Sequence, residues 1–291
     1  MAETAITFSC HGERLIGILH KPPVSNNSIQ LTERLAFVFV VGGPQYRIGS
    51  HRQFVVMARS LTMDGYPVFR FDHRGIGDSS GEMRSFEDIG DDIEAAVGVV
   101  RRELPDHEIV MLGLCDAAST LLMHVSKIQN LAALILLNPW VRTEEGLAET
   151  YARHYYLQRL ISIEFWRKVF LFEWNIKASV AGLIGTAGML LSKKQARQEE
   201  GVTFIERMYL GLLECDCPVL FILSGKDYTA REFELLLARD ERWKESSREP
   251  RVEFARLDNA DHTFSGERDL TDLHSTLVRW LAQHDYSRVE S

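Results

Sequence analysis

Six short, largely apolar runs between Leu35 and Leu257 limit the fold of this chain more than any other feature of its sequence. They are Leu35–Val41, Pro67–Phe71, Ile109–Leu112, Ala133–Leu137, Val219–Leu223 and Val252–Leu257. Runs without polar alternation are typical of strands buried on both faces, as in a parallel sheet covered by helices. Stretches with helical spacing separate them, at Arg52–Met63, Glu87–Leu104, Ala117–Ile128, Arg231–Trp243 and Leu270–Gln283. The alternation predicts an α/β fold with a mostly parallel, doubly wound sheet.

Two segments depart from this rhythm. Apolar and polar residues alternate through the first twenty positions, which predicts an antiparallel hairpin. Between Pro139 and Glu214 no strand is convincing and helical spacing dominates, over a length too great for a crossover helix. We therefore expect a core of residues 1–138 and 215–291. Residues 139–214 would form a helical cap inserted at the carboxyl edge of the sheet, where ligands of α/β proteins bind.

The aromatic content of the predicted cap favours a role in shaping a ligand pocket. Its aromatic residues include Tyr151, Tyr155, Tyr156, Phe165, Trp166, Phe170, Phe172 and Trp174. The alternative is an excursion that only thickens the domain.

Charge and composition exclude several classes of protein. The net charge of −8 and the absence of a basic block argue against a nucleic-acid partner. No apolar run is long enough for a transmembrane segment, and the first ten residues do not resemble a secretory signal. Four cysteines in 291 residues are too few for a disulfide scaffold. We expect a cytoplasmic enzyme; its oligomeric state is open, with a homodimer as one candidate.

The stretch around Cys115 carries the strongest chemical signal. The apolar run that begins at Ile109 leads into Gly-Leu-Cys-Asp-Ala, from Gly113 to Ala117, and a helix is predicted at once. A nucleophile elbow has this strand–turn–helix form, with small residues two before and two after the nucleophile. Cys115 would take the place of the usual serine, where a helix amino terminus favours a thiolate. The alternative is a small buried cysteine at a strand end.

An acid and a histidine follow in the chain order expected of such an elbow. Asp227 comes in a turn after the run Val219–Leu223, and His262 comes in a turn after the run Val252–Leu257. Because the carboxyl ends of parallel strands meet at one edge of a sheet, we expect Cys115, Asp227 and His262 to converge there. The three would form a catalytic triad.

With these residues in place, the chain resembles an α/β-hydrolase over essentially its whole length. Gly42-Gly43-Pro44 resembles the His-Gly-Gly-type turn that supplies half of the oxyanion hole in that fold. The resemblance implies that the backbone N–H groups of Gly43 and Asp116 hold the oxyanion, since Pro44 has no N–H. The stretch from Phe71 to Gly81 resembles the Asp-x-Arg-Gly-x-Gly-x-Ser turn of the superfamily.

The sequence Gly-Leu-Cys-Asp-Ala-Ala-Ser, with Gly-Gly-Pro-Gln-Tyr-Arg upstream, resembles the type 1 hydrolases associated with the exosortase A system. That resemblance implies a bacterial origin and a link to exopolysaccharide and protein-sorting genes, without an established substrate. The cysteine departs from the commoner serine, a feature similar to dienelactone hydrolases.

These features predict a hydrolase that acts on a small-molecule ester or thioester through an acyl-cysteine intermediate. An acyltransferase with a sugar or other small acceptor, or a non-catalytic binding protein on the same fold, are the alternatives. Arg47 and His51 follow the oxyanion turn and are candidates for substrate binding, although helix capping or a surface ion pair explains them equally well. The chemistry requires no cofactor and no metal, and Cys215-Asp216-Cys217 lacks the second ligand pair of a zinc site. The role of the Asp116 side chain is left open.

Overall fold

Eight strands form one sheet in the computed structural model, which describes residues 1–23, 34–43, 45–141 and 202–284. The strands are β1 (Ala2–Cys10), β2 (Glu13–Lys21), β3 (Leu35–Val40), β4 (Val68–Asp72), β5 (Glu108–Leu114), β6 (Leu131–Leu137), β7 (Val219–Ser224) and β8 (Val252–Leu257). Their spatial order is β1-β2-β4-β3-β5-β6-β7-β8. All pairs from β4 to β8 are parallel, whereas β2 is antiparallel to both β1 and β4. The predicted hairpin and the mostly parallel sheet are confirmed.

Helices cover both faces of the sheet. They are α1 (Gln53–Met63), α2 (Gly90–Glu103), α3 (Asp116–His124), α4 (Phe204–Glu214), α5 (Tyr228–Arg239), α6 (Glu241–Ser246) and α7 (Glu267–Gln283). Short 3-10 turns at Phe86–Asp88 and Val125–Lys127 precede α2 and follow α3.

Each face of the sheet has its own apolar core, because successive strand residues point to opposite sides. On one face, Phe37 and Leu112 pack with apolar residues of α1 and α7. On the other face, Val38 and Met111 pack with residues of α2, α3, α4 and α5. This double burial explains why the central strands lack polar alternation.

The long helix predicted over Arg231–Trp243 is divided at Asp240. Asp240 has an extended backbone (φ −96°, ψ 111°), and its carboxylate accepts a hydrogen bond of 2.9 Å from the Arg242 N–H. The residue therefore ends α5 and caps α6, as expected of an aspartate at a helix amino terminus.

Helix α4 packs with the core, although the sequence assigned it to the cap. Its buried residues Met208 and Leu212 belong to the same apolar cluster as Leu121 and Leu122 of α3. The core therefore extends back to Phe204 rather than beginning at residue 215. The predicted cap residues 142–201, with the aromatic residues on which that prediction rests, lie outside the described residues.

No helix within the described ranges has the length and apolar character needed to span a bilayer.

Candidate active site

Cys115 occupies the sharp turn between β5 and α3. Its backbone lies at φ 63° and ψ −126°, a conformation that costs a residue with a side chain on the order of 1–3 kcal/mol. The turn leaves no room at Gly113, where an added Cβ would lie 2.8 Å from Leu121 Cδ1 and 2.9 Å from the Ala117 carbonyl carbon. The Cys115 N–H donates to the Leu137 carbonyl oxygen at 2.9 Å. These constraints present the half-buried thiol at the carboxyl edge of the sheet.

Asp227 and His262 meet at the same edge. The buried Asp227 follows β7 and caps α5, because its carboxylate accepts hydrogen bonds from the N–H groups of Thr229 (3.0 Å) and Ala230 (3.2 Å). The same carboxylate lies 2.8 Å from His262 Nδ1. The helix terminus therefore fixes the acid, and the acid orients the imidazole.

The His262 imidazole interacts with Asp227 and with Cys115, and both interactions favour its charged form. Burial opposes the charged form, but the interactions with Asp227 and Cys115 outweigh it and raise the pKa of His262 to about 10. The structure thus brings Cys115, His262 and Asp227 together at one edge of the sheet.

Asn138 is a positioning residue that sequence reasoning missed. It directly follows β6 at φ 45°, and its Nδ2 donates to Ser224 Oγ (2.9 Å) and to the His262 carbonyl oxygen (3.1 Å). Its Oδ1 accepts from the Ser224 N–H at 2.8 Å. Asn138 therefore ties the end of β7 to the histidine loop. The available signal was a polar amide directly after a fully apolar strand.

The turn after β3 meets the residue that follows the nucleophile. The Gly43 N–H, expected to hold an oxyanion, donates to both carboxylate oxygens of Asp116, at 2.8 and 2.9 Å. Gly42 makes this approach possible, since a Cβ there would lie 2.0 Å from Asp116 Oδ1. The side chain of Asp116 thus engages the donor that the sequence assigned to substrate.

Burial raises the pKa of the Asp116 carboxyl, while hydrogen bonds from the backbone N–H groups of Gly43, Ala117 and Asp116 itself act in the opposite direction. Both backbone donors of the expected oxyanion hole therefore act on the same carboxylate.

Arg47 points into a network of carboxylates. Its guanidinium pairs with the buried Asp72 and donates to Asp78 at 2.6 Å, and its backbone N–H donates to Asp72 at 2.6 Å. Asp72 also accepts from the Asp78 N–H at 3.0 Å. In this arrangement Arg47 joins the turn after β3 to the turn after β4.

His51 lies beside the histidine loop. Its Nε2 donates to the Thr263 carbonyl oxygen at 2.9 Å, one residue beyond His262. The ring thus supports the loop that carries the base.

Within the described part of the chain, no three His, Cys, Asp or Glu side chains are grouped so as to hold a metal ion.

A comparison with protein families accounts for this arrangement. The profile of the family described as serine aminopeptidase, S33, matches residues 34–203, which is more than half of the chain. The chain belongs to this family. It is therefore an α/β hydrolase, and the S33 match covers both the turn after β3 and the elbow at Cys115.

Solved structures of α/β hydrolases resemble this S33 hydrolase over nearly its full length. The Pyrococcus furiosus esterase Pf2001 is 17% identical, with a TM-score of 0.59 and coverage of 96% of this chain and 93% of the esterase. XC6422 from Xanthomonas campestris, a serine hydrolase without a lid, is 16% identical (TM-score 0.59; coverage 97% and 95%). Est1E from Butyrivibrio proteoclasticus, solved with ferulic acid bound, is 14% identical (TM-score 0.59; coverage 96% and 98%). At these identities the likeness establishes the fold.

No curated protein matches the chain. The family is described as a serine aminopeptidase and the Xanthomonas protein as a serine hydrolase. This S33 hydrolase has Cys115 at the elbow instead.

Proposed function

We propose that this S33 hydrolase cleaves a small-molecule ester or thioester with Cys115 as nucleophile, His262 as base and Asp227 as the orienting acid. The observation that carries the proposal is the position of His262, whose Nδ1 lies 2.8 Å from the Asp227 carboxylate and whose imidazole also interacts with Cys115. A thiolate beside an imidazolium is the activated form of a cysteine nucleophile.

The reaction has two steps. His262 holds the proton of Cys115 as an imidazolium, the thiolate attacks the carbonyl carbon, and the imidazolium gives this proton to the leaving alcohol or thiol. Water, deprotonated by His262, then attacks the acyl-cysteine and releases the carboxylic acid and the free thiol. Asp227 keeps Nδ1 protonated and stabilises the imidazolium throughout.

The oxyanion formed in both steps needs the N–H groups of Gly43 and Asp116. Because the Gly43 N–H donates to the Asp116 carboxylate, the substrate oxygen has to replace that carboxylate. The two consecutive glycines at positions 42 and 43 give the turn the backbone freedom to reorient. In this proposal Asp116 competes with the substrate for the donor.

The ester class is supported by the names of two structural relatives, an esterase and a ferulic-acid-binding protein. The cap was predicted over residues 139–214, of which α4 belongs to the core. We propose that the rest of this segment selects the acyl group. The resemblance to exosortase A system-associated hydrolases stays a prediction, and acyl transfer to a sugar is the alternative reaction. The cytoplasmic location and the homodimer also stay predictions.

The test compares hydrolysis of an activated ester by Cys115→Ala, His262→Ala and the double variant. Because the two residues serve one step, each single change should lower kcat by on the order of 10³, and the double variant should lose little more. Asp227→Ala should show a smaller but large loss. Independent, multiplicative losses, or an active Cys115→Ala enzyme, would contradict the triad.

A further inference from the structure

A second pair of thiols lies far from the nucleophile in the fold. Cys215 and Cys217 connect the end of α4 to the start of β7, whereas Asp227 follows the opposite end of that strand. Both side chains are buried, both are free thiols, and their Sγ atoms are 3.3 Å apart. Only a thiol hydrogen atom fits between two sulfur atoms at this distance.

Arg251 lies close enough to this pair for its charge to lower the pKa of Cys215, although Asp216 acts in the opposite direction. The Arg251 Nη2 is paired with the Glu249 carboxylate at 2.7 Å. It also donates to the Leu212 carbonyl oxygen at 2.9 Å, which anchors the guanidinium at the end of α4. Its Nη1 is buried and has no acceptor among the described residues. A buried guanidinium N–H without a partner favours a nearby acceptor.

The hydrogen bond between the two thiols changes their pKa values in opposite directions. The hydrogen bond from Cys217 lowers the pKa of the Cys215 thiol, burial opposes it, and the Arg251 charge assists. The same hydrogen bond and burial raise the pKa of Cys217. Cys215 is therefore the more readily deprotonated thiol, with Cys217 3.3 Å away, which is the arrangement of an attacking and a resolving cysteine.

Small molecules have a route to the pair. A cavity of about 950 Å³ lies against both cysteines, with His107, Asn130 and His284 also in its wall. A metal ion is the less suitable occupant, since no third ligand of the His, Cys, Asp or Glu type joins the cysteines among the described residues.

We propose that Cys215 and Cys217 form a redox site, at which a hydroperoxide oxidises the two thiols to a reversible disulfide. The Cys215 thiolate attacks the terminal peroxide oxygen, which releases hydroxide or alkoxide and leaves a sulfenic acid on Cys215. The Cys217 sulfur then attacks the Cys215 sulfur, the S–S bond forms, and water leaves. With hydrogen peroxide, two thiols and one peroxide thus give one disulfide and two waters.

The experiment treats the reduced full-length protein with hydrogen peroxide, then denatures it and alkylates it with iodoacetamide before tryptic mapping. The peptide of residues 208–226 contains both cysteines. We expect this peptide to carry no alkylated cysteine and to be lighter by two hydrogen atoms than the reduced, unalkylated peptide. After dithiothreitol both cysteines should be alkylated again. Cys10 is the internal control, because burial raises the pKa of its thiol and it should stay reduced.

Two variants assign the roles. Cys217→Ala should trap the sulfenic acid on Cys215, detected as a dimedone adduct, at a rate close to that of the wild-type protein. Cys215→Ala should slow oxidation of Cys217 by about tenfold or more, since the remaining thiol is mostly protonated. The proposal is overturned if the wild-type peptide keeps two alkylated cysteines while Cys115 is oxidised, or if the two cysteines oxidise without forming a disulfide.

Discussion

Asp116 is the residue whose side chain most directly affects the proposed chemistry. Its carboxylate accepts the Gly43 N–H with both oxygens, and it follows the nucleophile in the chain. A carboxylate binds an N–H more strongly than a neutral carbonyl oxygen does. The substrate oxygen therefore meets a competitor that the protein itself supplies.

Replacing Asp116 by alanine should speed acylation of Cys115. The change frees the Gly43 N–H, and since one oxyanion donor is worth on the order of 10²–10³ in rate, a gain of about tenfold or more is expected. The acylation rate is divided by the rate of iodoacetamide alkylation, which needs no oxyanion donor, so that a change in the reactivity of the thiol itself cancels. Asp116→Asn keeps an uncharged acceptor and should fall between the two proteins. A lower ratio in Asp116→Ala would show that the carboxylate supports the turn instead.

His262 should stay protonated across neutral pH. Its pKa is raised to about 10, because its interactions with Asp227 and Cys115 outweigh burial. Because the pKa is raised, the imidazole keeps its proton until the pH exceeds this value. Its NMR resonance should therefore not titrate between about pH 6 and pH 9. In Asp227→Asn and Cys115→Ala the midpoint should fall towards the ordinary value. Assignment comes from the spectrum of His262→Gln, and a wild-type midpoint near 6.5 would contradict the paired state.

The site residues that sequence reasoning brings together are those that follow a buried strand in a recognisable turn. Cys115, Asp227 and His262 each have such a place; His262 is hydrogen bonded to Asp227 and interacts with Cys115. Asn138 also follows a strand, but its role depends on which strand lies next to it. The carboxylate partners of Arg47 depend on the separation of two loops, which no spacing along the chain encodes.

At the scale of elements, the packing of α4 on α3 links the carboxy-terminal half of the core to the nucleophile helix. Gly211 allows the close approach, since a Cβ there would lie 1.7 Å from the Leu122 carbonyl oxygen. A displaced α3 would also move Cys115, which precedes its first turn.

Two glycine-to-alanine changes in helices should therefore have opposite effects on the free energy of unfolding. Gly211→Ala should lower it by about 1–3 kcal/mol, because the two helices have to separate. Gly98→Ala in α2 is the matched control: its Cβ would meet nothing within 4 Å, so stability should rise by up to about 1 kcal/mol from helix propensity. Denaturant unfolding of both variants measures the difference. Equal effects at the two positions would contradict the tight contact.

Element boundaries show where local patterns stop being informative. The apolar spacing of α4 is the same whether it packs on a core or within a cap, so the sequence placed it with its neighbours in the chain. The break at Asp240 was missed because apolar spacing continues through it, while the aspartate satisfies the amino terminus of the next helix.

At the scale of the whole molecule, the unalternating apolar runs were sufficient to predict a parallel α/β sheet, and the S33 match and the structural relatives agree with that fold. The lateral order of the strands is not contained in those runs. Strand β4 lies between β2 and β3, so the chain moves to one side of β3 with β4 and to the other side with β5. Right-handed connections of this kind place the connecting helices on opposite faces of the sheet. The order matters for function because it places β5, β6, β7 and β8 side by side.

The central claim is that this sheet edge makes Cys115 a covalent nucleophile. The most direct measurement incubates the protein with an activated acetate ester, quenches in acid, and locates the acetyl group by mass spectrometry of the peptides. The account predicts one acetyl group on Cys115 of the wild-type protein, formed before steady state is reached. The group should be absent from Cys115→Ala. Ester turnover without an acetyl group on Cys115, or with the group on a different residue, would contradict it.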